Sequence, residues 1–303
     1  MNRKLTWPEV FDLVHDYCNR YLSDNDIEEW WTSNKVAAKF RIDDLDHTVN
    51  ARACRLPDGS YEIVFCAGLL DTFIKYAYEV AHNSKIIFFP AKTPKRNEEA
   101  LERAHIWIVF IWIDYVFQHE FAHIFCGHLE LLTDAQRGWY EFGINRGKNR
   151  LSIHQHRCLE AQADRFAAAN ILAQFIRYHE SIPQDLYGKP NSEQFLIDYI
   201  YSILYLYKLF AMIQGNQESD THPQPFFRSF IFQIFFRDTY ARVSDVPKLE
   251  DKSLENLFHS CFVEFYKHEG GVDLEEFKKK LSEAQSFFNT ISDSLRELKL
   301  STL

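Results

Sequence analysis

The stretch "IWIVFIWIDYVFQHEFAH", residues 106–123, carries an apolar run (106–117) broken only by Asp114 through Gln118 into two histidines and a glutamate. A run of this length and hydrophobicity reads as a buried helix. On such a helix His119 and His123 lie about one turn apart on the same face, so their imidazoles can share one metal ion. Glu120 is rotated from His119 by about 100°. From there it can reach a water on the metal and take its proton, the general-base role of the glutamate in an HExxH motif. The string alone arises by chance in roughly 4% of chains with this length and histidine content. Its weight therefore comes from the helical context, which the mechanism demands.

A catalytic zinc ion takes three protein ligands, usually nitrogen or carboxylate oxygen, and keeps one position for water. His128, after Gly127, is five residues beyond His123. On a continuing helix it would stand roughly 140° away, a poor position for the same ion. Glu160, in "CLEAQADRF" (158–166), is the better third ligand. Asp164 lies one turn further along the same face, placed to accept the outer N–H of a ligand histidine and fix its tautomer. The alanines of that segment let another helix approach closely. The bland alternative makes Glu160 and Asp164 a solvated helix face. A purely structural metal site would lean on cysteine and four protein ligands; Cys126 and Cys158 are near enough in sequence to serve, but they read as small core residues.

The whole chain fits this picture. Its 303 residues are 46% hydrophobic and 16% aromatic, with 27 phenylalanines, enough for a large core. A net charge of −9 argues against a nucleic-acid or anionic-membrane binder. Six scattered cysteines without a CxxC pair read as reduced thiols of a cytoplasmic protein. The start, "MNRKLTWPEVFDLVHDY", is interrupted by Glu9 and Asp12 and does not read as a signal peptide. The most apolar stretches, 106–117, 203–213 and 226–236, fall short of the ~20 residues of a membrane span. No membrane insertion is expected.

Along the chain, Thr6, Pro8 and Glu9 mark a helix start over 6–22. "PDG" (57–59) is a turn, and "SYEIVFC" after it a strand. If that strand is an edge, its backbone at Ile63, Val64 and Phe65 would bind an extended substrate by main-chain pairing. A helix follows over 68–83 and a second short strand over 85–89. The HExxH helix spans about 98–129. Residues 133–157, with Tyr140, His154 and His156, form a long polar loop or a lid over a cleft. Helices then occupy 158–179, 192–214 and 225–240. After Gly270-Gly271, Asp273 and Glu276 start a last helix, on which Leu274, Phe277, Leu281, Ala284, Phe288, Ile291, Leu295 and Leu298 form a heptad stripe. The stripe fits docking on the chain's own core better than a homodimer seam.

Four motifs in register resemble the gluzincin metallopeptidases, in particular the HtpX-like and CAAX-prenyl-endopeptidase-like group. They are "RLPDGSYEIVFCAGLLDTF" (55–73), "HEFAHIFCGH" (119–128), "EAQAD" (160–164) and "THPQPFFR" (221–228). The resemblance covers about residues 55–230. A weaker likeness, in size and the HExxH helix, is to the phage-exclusion peptidase Lit and its relatives. The first resemblance implies a mainly α (α+β), zincin-like metallopeptidase domain with an HExxH helix, a small edge sheet and added C-terminal helices. Its expected divisions are an N-terminal helical segment over 1–54, the peptidase domain over 55–240 and a packed helical extension over 241–303. It also implies a zinc cofactor held by His119, His123 and Glu160, with Glu120 as catalytic base and Asp164 supporting a ligand. His222 would help stabilise the oxyanion, with Arg228 nearby. The implied activity is endopeptidase cleavage of a protein or peptide substrate through a zinc-activated water. The rival expectation is an inactive, metal-braced interaction module. The group is usually membrane-embedded, so its membrane substrates do not carry over.

Overall fold

The computed structural model describes residues 7–23, 37–83, 98–131, 138–140, 151–178, 192–214, 222–242, 251–269 and 273–298. Among them the chain is mainly helical, with one small sheet. The elements run α1 (Trp7–Leu22), β1 (Ala38–Asp43), β2 (Ala51–Arg55), β3 (Tyr61–Cys66), α2 (Ala67–Asn83), α3 (Glu98–Phe125), β4 (Gly138–Tyr140) and α4 (Ile153–Tyr178). Then come α5 (Ser192–Gln214), α6 (Pro225–Arg242), α7 (Asp251–His268) and α8 (Leu274–Glu297).

Helix α3 is the axis of the molecule. Nearly every side chain from Ile108 to Ile124 is buried, because α2, α4, α5 and the sheet surround it. A helix apolar on all sides is stable in water only when other elements cover all of it. Several of its polar side chains are paired with other elements. The Trp112 indole N–H donates to the Ser202 carbonyl of α5 at 2.7 Å. The Asp114 carboxylate accepts from the Tyr17 hydroxyl of α1 and, at 3.3 Å, from the Gln118 amide. The Asn170 amide of α4 donates to Tyr21 at 2.8 Å and to Gln118 at 2.9 Å. These bonds lock α1 and α4 onto α3 in a defined register, which apolar packing alone does less selectively.

The sheet order is β1-β3-β2-β4. Strand β1 pairs parallel to β3, with Phe40 opposite Ile63, and β2 pairs antiparallel to β3, with Ala53 opposite Ile63. Strand β3 is therefore interior, buried at all six residues. This corrects the expectation of an edge at Ile63, Val64 and Phe65: both sides of their backbone are already in ladders, leaving no main-chain row for an extended substrate. Two strands, β1 and β2, also lie within residues 1–55, where only a helical segment was expected, so the sheet draws on both sides of the expected boundary at 54/55. Strand β3 feeds directly into α2, whose start approaches residues 47–48 closely. A Cβ on Gly68 would lie 2.1 Å from the His47 carbonyl oxygen, so only glycine fits there.

At the other end, Asp273 caps α8, accepting from the backbone N–H groups of Glu275 and Glu276 at 2.9 Å. The α8 stripe docks on α4 and α6, burying Phe277, Ala284, Ile291 and Leu295 in the common core. Helix α5 is long and apolar enough to cross a membrane over Leu196–Gln214, and 72% of that window is buried inside the fold. That is how a core helix also looks. The expected strand at 85–89 and most of the loop at 133–157 lie outside the described residues. Within that loop, Tyr140 belongs to β4, and His154 and His156 to the first turns of α4.

Candidate metal centre

Helices α3 and α4 pack side by side and bring His119, His123 and Glu160 together, with one ligand atom of each inside 4.8 Å of the others. His119 Nε2 stands 3.1 Å from Glu160 Oε2 and 3.1 Å from His123 Nε2, and His123 Nε2 stands 3.8 Å from Glu160 Oε1. Donors held tetrahedrally about 2.0–2.1 Å from one ion lie about 3.3–3.4 Å apart, so these spacings suit a first-row metal. The donor set, two imidazoles and a carboxylate, also suits such an ion. Neither Cys126 nor Cys158 belongs to this group among the described residues.

Electrostatics point the same way. Burial pushes the His123 ring well below its ordinary pKa, against the pull of Glu160, so the ring is neutral. Burial pushes the Glu160 carboxyl up, but His222, His123 and His119 outweigh it and hold it well below the usual carboxylate range. An ionised Glu160 beside a neutral His123 ring is a charge pattern that a bound cation completes.

Around the cluster each member is oriented by another residue. His119 Nδ1 stands 3.0 Å from Asp164 Oδ1, so its Nε2 is the nitrogen turned to the centre. Asp164 is held in turn by a two-point pair with Arg228: Nε to Oδ2 and a terminal N–H to Oδ1, both 2.8 Å. Burial raises the Asp164 carboxyl, but the Arg228 charge and the His119 and Arg228 hydrogen bonds bring it below its ordinary value. The Tyr115 hydroxyl also reaches Asp164 Oδ1, at 3.1 Å, and pairs with the Tyr207 hydroxyl. His222 Nε2 lies 3.1 Å from Glu160 Oε2. It arrives on a short non-helical approach that ends where Pro225, whose fixed φ suits a first helical position, opens α6. Side chains from α3, α4, α6 and the segment just before α6 thus converge on one buried point; His119, Glu120, His123, Glu160, Asp164, His222 and Arg228 are each 1% exposed or less. Glu120 is buried beside His119 on α3. Its charge is felt at Cys54 of β2, whose thiol is pushed up first by burial and then by neighbouring charges that include Glu120.

The structure also places residues that spacing did not reveal. Helix α3 stops at Phe125, and Gly127, at φ +76°, turns the chain in the left-handed region that ends many helices. The turn swings His128 back beneath His123, so an angle reckoned on a continuing helix does not apply to it. His128 Nδ1 lies 2.8 Å from His123 Nδ1, the nitrogen remote from the cluster, and His128 Nε2 lies 2.9 Å from Gln162 Oε1. Burial pushes the His128 ring down to about 4, so it too is neutral. Tyr115, Tyr207 and Gln162 carry no motif signature; only the pattern of buried polar residues on facing helices could have suggested them.

The chain matches no family model, no curated protein and no solved structure.

Proposed function

We propose that the protein is a zinc-dependent endopeptidase of the gluzincin type, acting in the cytoplasm on a protein or peptide substrate. The observation that carries this reading is the convergence of His119 and His123, from the HExxH helix, with Glu160 of α4, one ligand atom of each within 4.8 Å of the others. The placement of Asp164, His222 and Arg228 around the same point supports it, as does the motif resemblance over 55–230. A zinc ion held there would polarise a substrate carbonyl and lower the pKa of water to about 7. Hydrolysis adds water across the C–N bond. The Glu120 carboxylate takes the proton from the attacking water and returns it to the departing amine nitrogen. His222 donates from Nε2 towards the oxyanion. Asp164, braced by Arg228 and Tyr115, keeps the His119 lone pair aimed at the centre.

A second reading is favoured by two observations. His222 offers a fourth nitrogen 3.1 Å from Glu160, and the whole cluster is closed to solvent. Four protein ligands around a buried ion would make a structural centre that braces α3, α4 and α6. His222→Gln separates the two, because an enzyme keeps its zinc and loses rate, whereas a four-ligand brace loses zinc.

The activity itself is tested by surveying new protein N-termini in cells expressing the wild type or Glu120→Gln. Termini that require Glu120 establish a peptidase and name its substrates. An identical set of termini from both chains, each folded and zinc-loaded, would exclude a constitutively active peptidase and leave an enzyme awaiting a trigger or the metal brace.

A further inference from the structure

His128 and Gln162 take no part in the proposed chemistry, yet both are fully enclosed and lie in line behind His123. The direction of the hydrogen bonds along this line is set at its far end. The Gln162 oxygen that faces His128 can only accept, so His128 Nε2 carries the hydrogen. In a neutral imidazole the other nitrogen is then an acceptor, so His128 Nδ1 receives the N–H from His123 Nδ1. His123 Nε2, the atom 3.1 Å from His119 Nε2, is left with its lone pair exposed to the cluster. Reversing the Gln162 amide would reverse every bond and put a hydrogen on that nitrogen, where no metal could bind.

We infer that Gln162, acting through His128, is a positioning residue that fixes which nitrogen of His123 is free to bind the metal. The inference rests on the metal-site reading of His119, His123 and Glu160, and gives His123 the counterpart of what Asp164 does for His119. The two ligand histidines are then oriented by two residues of one helical turn of α4, one charged and one neutral. A neutral acceptor keeps the net charge around a buried Glu160 from becoming more negative, which two carboxylates would not.

The test compares Gln162→Glu with Gln162→Met. Ionised glutamate can only accept, so above its pKa it preserves the direction of the line; methionine fills similar space and supplies no comparable acceptor. In metal-free, ¹⁵N-histidine-labelled chain, long-range ¹H–¹⁵N correlation reads the tautomer of His123. The expected result is the Nδ1–H form in wild type and Gln162→Glu, and a mixture or the Nε2–H form in Gln162→Met. Zinc competition with a chelator should show Gln162→Met weakened by about 10–100-fold and Gln162→Glu near wild type. A residue that merely packs would give the opposite order, since a buried extra carboxylate is costlier than methionine. Should Gln162→Met not fold, His128→Phe removes the relay while keeping a ring, and should release the His123 tautomer in the same way. An unchanged tautomer and unchanged affinity in these variants would overturn the inference. A wild-type chain that takes up no zinc would instead sink the metal reading, and the tautomer readout would still decide the role of Gln162.

Discussion

Asp164 shows how tightly a single residue in this centre is held: His119, Arg228 and Tyr115 all converge on its carboxylate inside the core. Removing the arginine leaves a buried carboxylate without its counter-charge, which costs about 3–5 kcal/mol in comparable pairs. Arg228→Met should therefore lower unfolding free energy in urea by that order and weaken zinc uptake as His119 loses its orientation. An unaltered urea midpoint would mean the pair adds nothing. Asp114 offers a second residue-scale test. Burial pushes its carboxyl up to about 6 despite the hydrogen bonds from Tyr17 and Gln118. In the unfolded chain it titrates near its ordinary value, about 3.9. The folded chain thus binds this proton more tightly, so its contribution to stability is complete below about pH 4 and lost as pH rises through about 6. Asp114→Asn keeps the acceptor oxygen and removes the charge. Relative to wild type it should gain up to about 3 kcal/mol between pH 4 and pH 7. A stability difference that does not vary with pH would contradict this assignment.

At the scale of elements, the junction of β3 and α2 depends on Gly68. Any side chain there meets the backbone carbonyls at residues 47 and 48, and backbone cannot swing aside as a flexible side chain can. Gly68→Ala should destabilise the fold by roughly 3 kcal/mol or more, read as a fall in melting temperature or in soluble yield. A variant as stable as wild type would show that the approach relaxes freely. This junction also illustrates what local sequence reveals. The "GLL" helix start, the Asp273 cap and the apolar α3 were legible because each depends on neighbours within a turn or two. Whether β3 is an edge was not, because that depends on residues 38–43 and 51–55, which the turn and alternation signals of 57–66 do not mention. The same divide runs through the metal centre. His119, His123 and Glu160 announced themselves by i,i+4 spacing and by a carboxylate on a small-residue helix. His128 was misplaced because one glycine at φ +76° ends the helix before it. Its partner Gln162 is an ordinary polar residue until α3 and α4 are packed together.

Over the whole molecule, the cluster ties the sheet-bearing half to the C-terminal helices. Helix α3 packs against the sheet, α4 against α3, α6 against α4, and α8 closes over α4 and α6. One continuous core runs from Val10 in α1 to Leu295 in α8. A metal ligated from α3 and α4, and flanked by His222 ahead of α6, would therefore sit where the two halves meet. The most direct test of that claim is the metal content of the purified full chain, by elemental mass spectrometry, for wild type, Glu160→Ala, Glu120→Gln and Cys126→Ser. One zinc per chain is expected in wild type, Glu120→Gln and Cys126→Ser, with sharp loss in Glu160→Ala. Full zinc in Glu160→Ala, or its loss in Cys126→Ser, would contradict the ligand set and with it the proposed centre.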